Sequence, residues 1–185
     1  MAIDNLSPVP KPGDRAPPSP QIPFPSPKPV LLVFLRAVGD PFAEKTFNLL
    51  TSLSTQHPHL QCIAVSHSPR PLAEQWIVDI GGEWEVEMVF DTERELYRQW
   101  GLGEGSTWYT MNPWTMWSMY RLGKDEGIWG TEEKGGSKWQ MGGAFAVDAG
   151  GFVRWAKVCE SADDIPDLEE GVRVLETSKT KTGLA

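Results

Sequence analysis

VLLVFLRAVGDPFAEKTFNLL, residues 30–50, runs a strand straight into a helix. Val30–Leu35 is a continuous apolar run, the pattern of a strand buried on both faces. Arg36–Gly39 reads as a short turn. Asp40 then stands at a helix start with Pro41 directly after it. Asp caps because its carboxylate accepts from orphan N–H groups, and Pro suits the first helical position. Phe42, Thr46, Leu49, Leu50 and Leu53 recur on one face of an amphipathic helix. The stretch therefore predicts a buried strand ending at an acid on a helix N-terminus.

Outward from it, Leu60–Ser66 reads as a second buried strand and Pro71–Ile80 as a helix ended by Gly81-Gly82. Glu85–Asp91 alternates as a short strand. Thr92 and Glu95 have capping-box spacing before a helix closing at Trp100-Gly101. Asn112-Pro113 opens another helix, expected to end near Leu122-Gly123, and residues 124–136 read as loop. Ala144–Asp148 and Phe152–Val158 flank Ala149-Gly150-Gly151 as a β-hairpin. A last helix begins near Pro166. Residues 1–29 hold ten of the sixteen prolines and read as an extended segment, with a flexible leader over 1–12. The domain proper spans 30–178, with a flexible tail at 179–185.

The 30–50 stretch resembles the first strand and active-site turn of the thioredoxin-like, peroxiredoxin-like proteins of the AhpC/TSA type. Asp40 occupies the position of that pattern's first cysteine and Ala43 that of its second. Further resemblance lies in Phe90-Asp91, Glu95-Leu96-Tyr97, Trp100-Gly101-Leu102-Gly103, Trp139-Gln140 and Gly142-Gly143. EGIW at 126–129, SKWQ at 137–140 and FAVD at 145–148 look most like a fungal branch. The resemblance implies an α/β thioredoxin-like fold: a central mixed sheet flanked by helices, with an aromatic-rich insertion before the C-terminal hairpin. The family's redox chemistry needs a thiolate at the helix N-terminus, so its peroxidase activity is not expected here.

Parallel first and second strands share one C-terminal edge, where ligands collect in such sheets. That edge should hold Arg36 and Asp40 from the first strand and Ser66, His67 and Ser68 from the second. The Trp139–Gly143 loop should reach it too. Asp40 is either an N-cap alone or an acid that replaced a nucleophile, with His67 as its proton-transfer partner. Trp100–Met141 contains six of the nine Trp and four of the six Met. Its helix is either core or the wall of an apolar pocket. On the pocket reading Arg36, Ser66, Trp108, Tyr109, Trp114, Trp117, Trp139 and Gln140 bind substrate. His57 and His59 flank Pro58 in a polar loop and should face solvent; no two of the three histidines have metal-ligand spacing supported by nearby cysteine, so no metal site is expected, nor another cofactor. Cys62 reads as an inert core thiol and Cys159 as a rim thiol. A disulfide between them is not expected, since they should lie on opposite outer strands.

The 185 residues are 40% hydrophobic, enough for one core, and a net charge of −8 argues against nucleic acid or an anionic membrane as partner. The N-terminus lacks an apolar signal region, so a cytoplasmic protein with reduced thiols is expected. Residual peroxidase activity through Cys159 is the least favoured of three readings, and two stand ahead of it. One is a cofactor-free isomerase, lyase or cyclase acting by acid–base chemistry on a small apolar or aromatic metabolite, as in fungal secondary metabolism. The other is a redox-inactive binding module for a small molecule or partner protein. A homodimer is compatible with both.

Overall fold

The computed structural model describes residues 6–82, 85–131 and 135–182, with side chains through residue 178. Five strands form one mixed sheet: β1 (Val30–Phe34), β2 (Gln61–Ser66), β3 (Val86–Phe90), β4 (Gly143–Val147) and β5 (Val153–Val158). Their order is β3-β2-β1-β4-β5. β1 and β3 both run parallel to β2, while β4 is antiparallel to β1 and β5 to β4. β1 is thus central, as its unbroken apolar run predicts, and all five of its residues are buried.

Alternation along β1 divides two cores. Leu31, Val33 and Leu35 face a cluster built with α1 (Pro41–Gln56), α2 (Arg70–Asp79) and α6 (Leu168–Thr182). Val30, Leu32 and Phe34 face the other side, where Tyr97 and Trp100 pack at α3 (Glu95–Gln99). Ala16 and Ile22 of the proline-rich segment complete that second cluster. α4 (Thr107–Met111) and α5 (Pro113–Glu126) form the aromatic-rich insertion before the β4–β5 hairpin.

Several expectations are corrected. The leader is packed from Leu6 onward: Ser7 N–H donates to Arg98 O, and Val9 fills the space a Cβ on Gly101 would need. Residues 1–5 lie outside the described residues. The capping box at Thr92 does not form. Arg94 adopts a left-handed conformation instead, and the buried Asp91 carboxylate accepts from the N–H groups of Glu95, Leu96 and Tyr97. α5 continues past Gly123 to Glu126 and closes on the left-handed Gly127. Gly123 is a packing glycine, because a Cβ there would fall 2.4 Å from the Trp129 ring. α6 runs on to Thr182, into the stretch read as a tail; residues 183–185 lie outside the described residues. Cys62 sits on β2, an inner strand, and both cysteines are buried and free. Among the described residues no helix is long and apolar enough to cross a membrane.

Candidate functional site

The chain leaves β1 through Leu35 and the buried Arg36, turns, and re-enters order at Asp40. Asp40 caps α1 as its sequence predicts. Its Oδ2 accepts from Ala43 N–H at 3.1 Å and from Arg36 Nη1 at 2.9 Å. The side chains of this ion pair are only 9% and 11% exposed. Arg36 also donates through Nη2 to Lys138 O at 3.0 Å, and its guanidinium lies over the Tyr109 ring at 5.7 Å. One arginine therefore ties the α1 start, the loop before β4 and α4 together. Gly142 permits this, since a Cβ there would meet Phe34 O at 3.0 Å and Arg36 Cγ at 3.4 Å.

Beside the pair lies a cavity of about 20 Å³, lined by Arg36, Phe42, Thr46, Gly142, Cys159 and Asp164 among others. That volume admits about one water molecule. Small-molecule sites usually occupy about 300–1,000 Å³.

His67 follows β2 on the same edge but serves another purpose. Its ring is buried, stands edge-on to Tyr97, and its Nε2 accepts from Ser137 N–H at 2.9 Å. Burial pushes its pKa down to about 4 against the raising effect of Ser137. A ring so held is neutral near pH 7 and a poor proton acceptor. Among the described residues no hydrogen bond or ion pair joins it to Asp40. Ser66 is internal, its Oγ accepting from Ser68 N–H. Ser68 Oγ accepts from Val38 N–H and donates to Gly135 O. Tyr97 Oη lies 2.6 Å from Leu35 O and 2.9 Å from Val65 O, bridging the ends of the two central strands.

The expected aromatic pocket does not assemble. Tyr109 is buried against Arg36, and Gln140 donates to Leu102 O and Gly103 O, stitching its loop rather than facing a cavity. Trp139 is half-buried under Lys138 Nζ. Trp108, Trp114, Trp117 and Trp129, in contrast, are 71%, 75%, 57% and 59% exposed, and Met111, Met116 and Tyr120 join them at the surface. The core reading of this helix fails equally. α5 docks through Thr115, Ser118, Leu122 and Gly123. Thr115 and Ser118 donate to Asp163, which also accepts from Ser161 Oγ. Burial acts to raise the Asp163 pKa, but these hydroxyls hold it below the usual carboxylate range. Leu122 and Met119 also face inward, packing with Phe42 and Ile128, while the aromatic side of α5 is left outside. Trp117 lies 6.0 Å from Tyr120 and Tyr120 6.3 Å from Trp129, ring to ring.

Neither thiol is poised for redox chemistry. Burial pushes Cys62 up to about 12, and burial followed by the Asp164 charge does the same to Cys159.

A sequence profile described as AhpC/TSA antioxidant enzyme matches residues 49–161, more than half of the chain. The chain belongs to the AhpC/TSA family. Its fold is thioredoxin-like. It is similar to the thiol peroxidase from Chromobacterium violaceum, with 17% identity, 95% of this chain and 91% of that one covered, and a TM-score of 0.62. It is similar also to peroxidoxin BcpB from Mycobacterium tuberculosis, with 16% identity, 91% and 97% covered, and a TM-score of 0.59. For AhpC from Enterococcus faecalis the values are 14%, 85%, 78% and 0.58. No curated protein sequence matches the chain. This AhpC/TSA member thus shares a scaffold with peroxidases, while its own edge carries a carboxylate–guanidinium pair at the start of α1.

Proposed function

We propose that this AhpC/TSA protein is a redox-inactive binding module that engages a partner protein through the outer face of α5. On this reading Asp40 takes the place of the family's thiol and preserves the helix start as a structural joint. The motifs at 126–129, 137–140 and 145–148 support placing it in a fungal branch.

The observation that carries the reading is the exposed aromatic face. Met116, Tyr120, Lys124, Trp117, Arg121 and Trp114 form one continuous outward arc of α5, and all six are exposed. With Trp108, Met111 and Trp129, the exposed large apolar side chains there offer roughly 800 Å². That is about what one partner buries in a standard interface, and monomers rarely leave such a patch open. Lys124 stands within this face, as does Arg121, which pairs with Asp125 at 3.6 Å, so charge complementarity supports a partner that is apolar with an acidic group to meet Lys124. The acid–base alternative has weaker support, because Asp40 is engaged by Arg36 and Ala43 and the adjoining cavity holds about one water.

Peptide selection on immobilised protein tests the proposal. It should enrich sequences combining Asp or Glu with large apolar residues. Trp114→Ala/Trp117→Ala should bind them at least tenfold more weakly with an unchanged melting temperature. Selected peptides that bind the double variant equally would refute the reading. Light scattering showing a dimer that the same double variant abolishes would replace the foreign partner by a second copy. A parallel assay should find no hydroperoxide turnover with thiol reductants.

A further inference from the structure

We propose that His57, His59 and Glu176 bind one divalent transition-metal ion of the Zn²⁺ type, clamping α6 to the turn between α1 and β2. This cluster lies at the end of the sheet opposite Arg36 and Asp40, since His59 stands just before β2 while Arg36 follows the parallel β1. It is independent of the partner-binding face.

Local chemistry presents the two imidazoles together. His57 closes α1 by donating its N–H to Leu53 O, and its own carbonyl accepts from Leu60 N–H at 2.9 Å. Residues 57–60 are thus one hydrogen-bonded turn with Pro58, whose ring fixes φ, at the second position. Lys28 Nζ holds the Pro58 carbonyl at 2.8 Å. The first and third residues of this turn bring their rings to 5.7 Å, centroid to centroid. Glu176 comes from α6, one turn beyond Val172 and next to Leu175, both buried in the core. Its Oε1 lies 3.2 Å from His57 Nδ1 and 3.7 Å from His59 Nε2.

These separations suit a shared ion. The three donor atoms all lie within 4.8 Å of one another. Bonds of about 2.0–2.1 Å in a tetrahedral site place neighbouring donors about 3.3 Å apart. The His57 contact already meets that spacing, while the other separations, up to 4.8 Å, require the part-exposed His59 ring to turn inward on binding. His59 stands from the same carboxylate oxygen at ion-pair rather than hydrogen-bond distance, 3.7 Å. Two imidazoles and one carboxylate select ions such as Zn²⁺, Cu²⁺ or Ni²⁺ over Mg²⁺ and Ca²⁺, which prefer oxygen cages. The remaining position would hold water. The buried thiols and the buried His67 offer no comparable set.

Calorimetry of the full-length, tag-free, EDTA-stripped protein with ZnCl₂ tests this. One equivalent should bind, and the melting temperature should rise by about 5 °C at a hundredfold excess over Kd. MgCl₂ should do neither. His59→Ala and Glu176→Gln should each weaken Zn²⁺ at least tenfold while melting like wild type without metal. Co²⁺ should give a visible absorption band in wild type that His59→Ala lacks, a signature that does not depend on stability. No saturable heat at millimolar ZnCl₂, or wild-type affinity in both variants, would overturn the site.

Discussion

Arg36 carries its charge into a site where water cannot solvate it, and Asp40 is what makes that tolerable. Asp40→Asn keeps the cap, because Asn accepts from a helix N–H as Asp does. It leaves the guanidinium beside a neutral amide, so urea denaturation should show a loss of about 3 kcal/mol. A loss near zero would reduce Asp40 to a plain cap. His67 sets a pH limit. Unfolded histidine titrates near pH 6.5, whereas folded His67 resists protonation down to about 4. Above pH 6.5 both states are neutral and stability is complete. As pH falls from 6.5 towards 4, only the unfolded chain gains the proton, and about 3 kcal/mol is lost. His67→Gln, which can still accept from Ser137 N–H, should flatten melting temperature against pH across that window. A slope unaltered by the substitution would assign the loss to other groups.

At the scale of elements, α5 is a helix whose aromatic side is its outer side. Trp114→Ser and Trp117→Ser should each shift stability by less than about 0.5 kcal/mol, as exposed positions do. Trp100→Ala, in the core, should cost about 3–5 kcal/mol by the same denaturation assay. The Asp163 latch adds a second pH effect. Its depressed pKa contributes stability above the unfolded value near 3.9, and this is lost as pH falls through the lower folded value. Trp fluorescence should therefore report release of α5 in acid, and Asp163→Asn should release it at neutral pH. These two elements mark how far sequence reasoning reached. β1, α1 and the Asp40 cap were legible because each depends on neighbours within a few residues. The orientation of α5 was not, because hydrophobic patterning assumes that apolar means inside. Here distant partners meet the docked side: Asp163, 45 residues beyond Ser118, and Phe42 of α1 against Leu122. The candidate site failed for the same reason. Arg36 was expected at the edge and Tyr109 in the pocket wall, but their approach across the fold fills the space between them. Nothing near His57 and His59 in the sequence suggests a companion, because the carboxylate that approaches them, Glu176, lies on the last helix.

For the whole molecule, the fate of the sheet borders matters most. β3 presents Glu87 at one border, tied to Gln61, and β5 presents Arg154 and Lys157 at the other. The start of β5 is further covered by the proline-rich segment. Gly13 N–H donates to Val153 O, Val153 N–H to Asp14 O, and Ala16 N–H to Gly151 O. Proline on either side of this short pairing cannot extend it, having no N–H to offer. The segment therefore occupies the border without itself becoming a new one. An open strand border is a template for the next chain, and charge, proline and cover are the usual guards against it. Deleting residues 1–20 should strip the cover from β5 and remove Ala16 from the core while leaving every strand intact. The shortened protein should then convert on warming into thioflavin-positive aggregates at temperatures where the full chain stays clear. By this account the prolines ahead of β1 act as a chaperone carried in cis, one that keeps the fold from recruiting copies of itself.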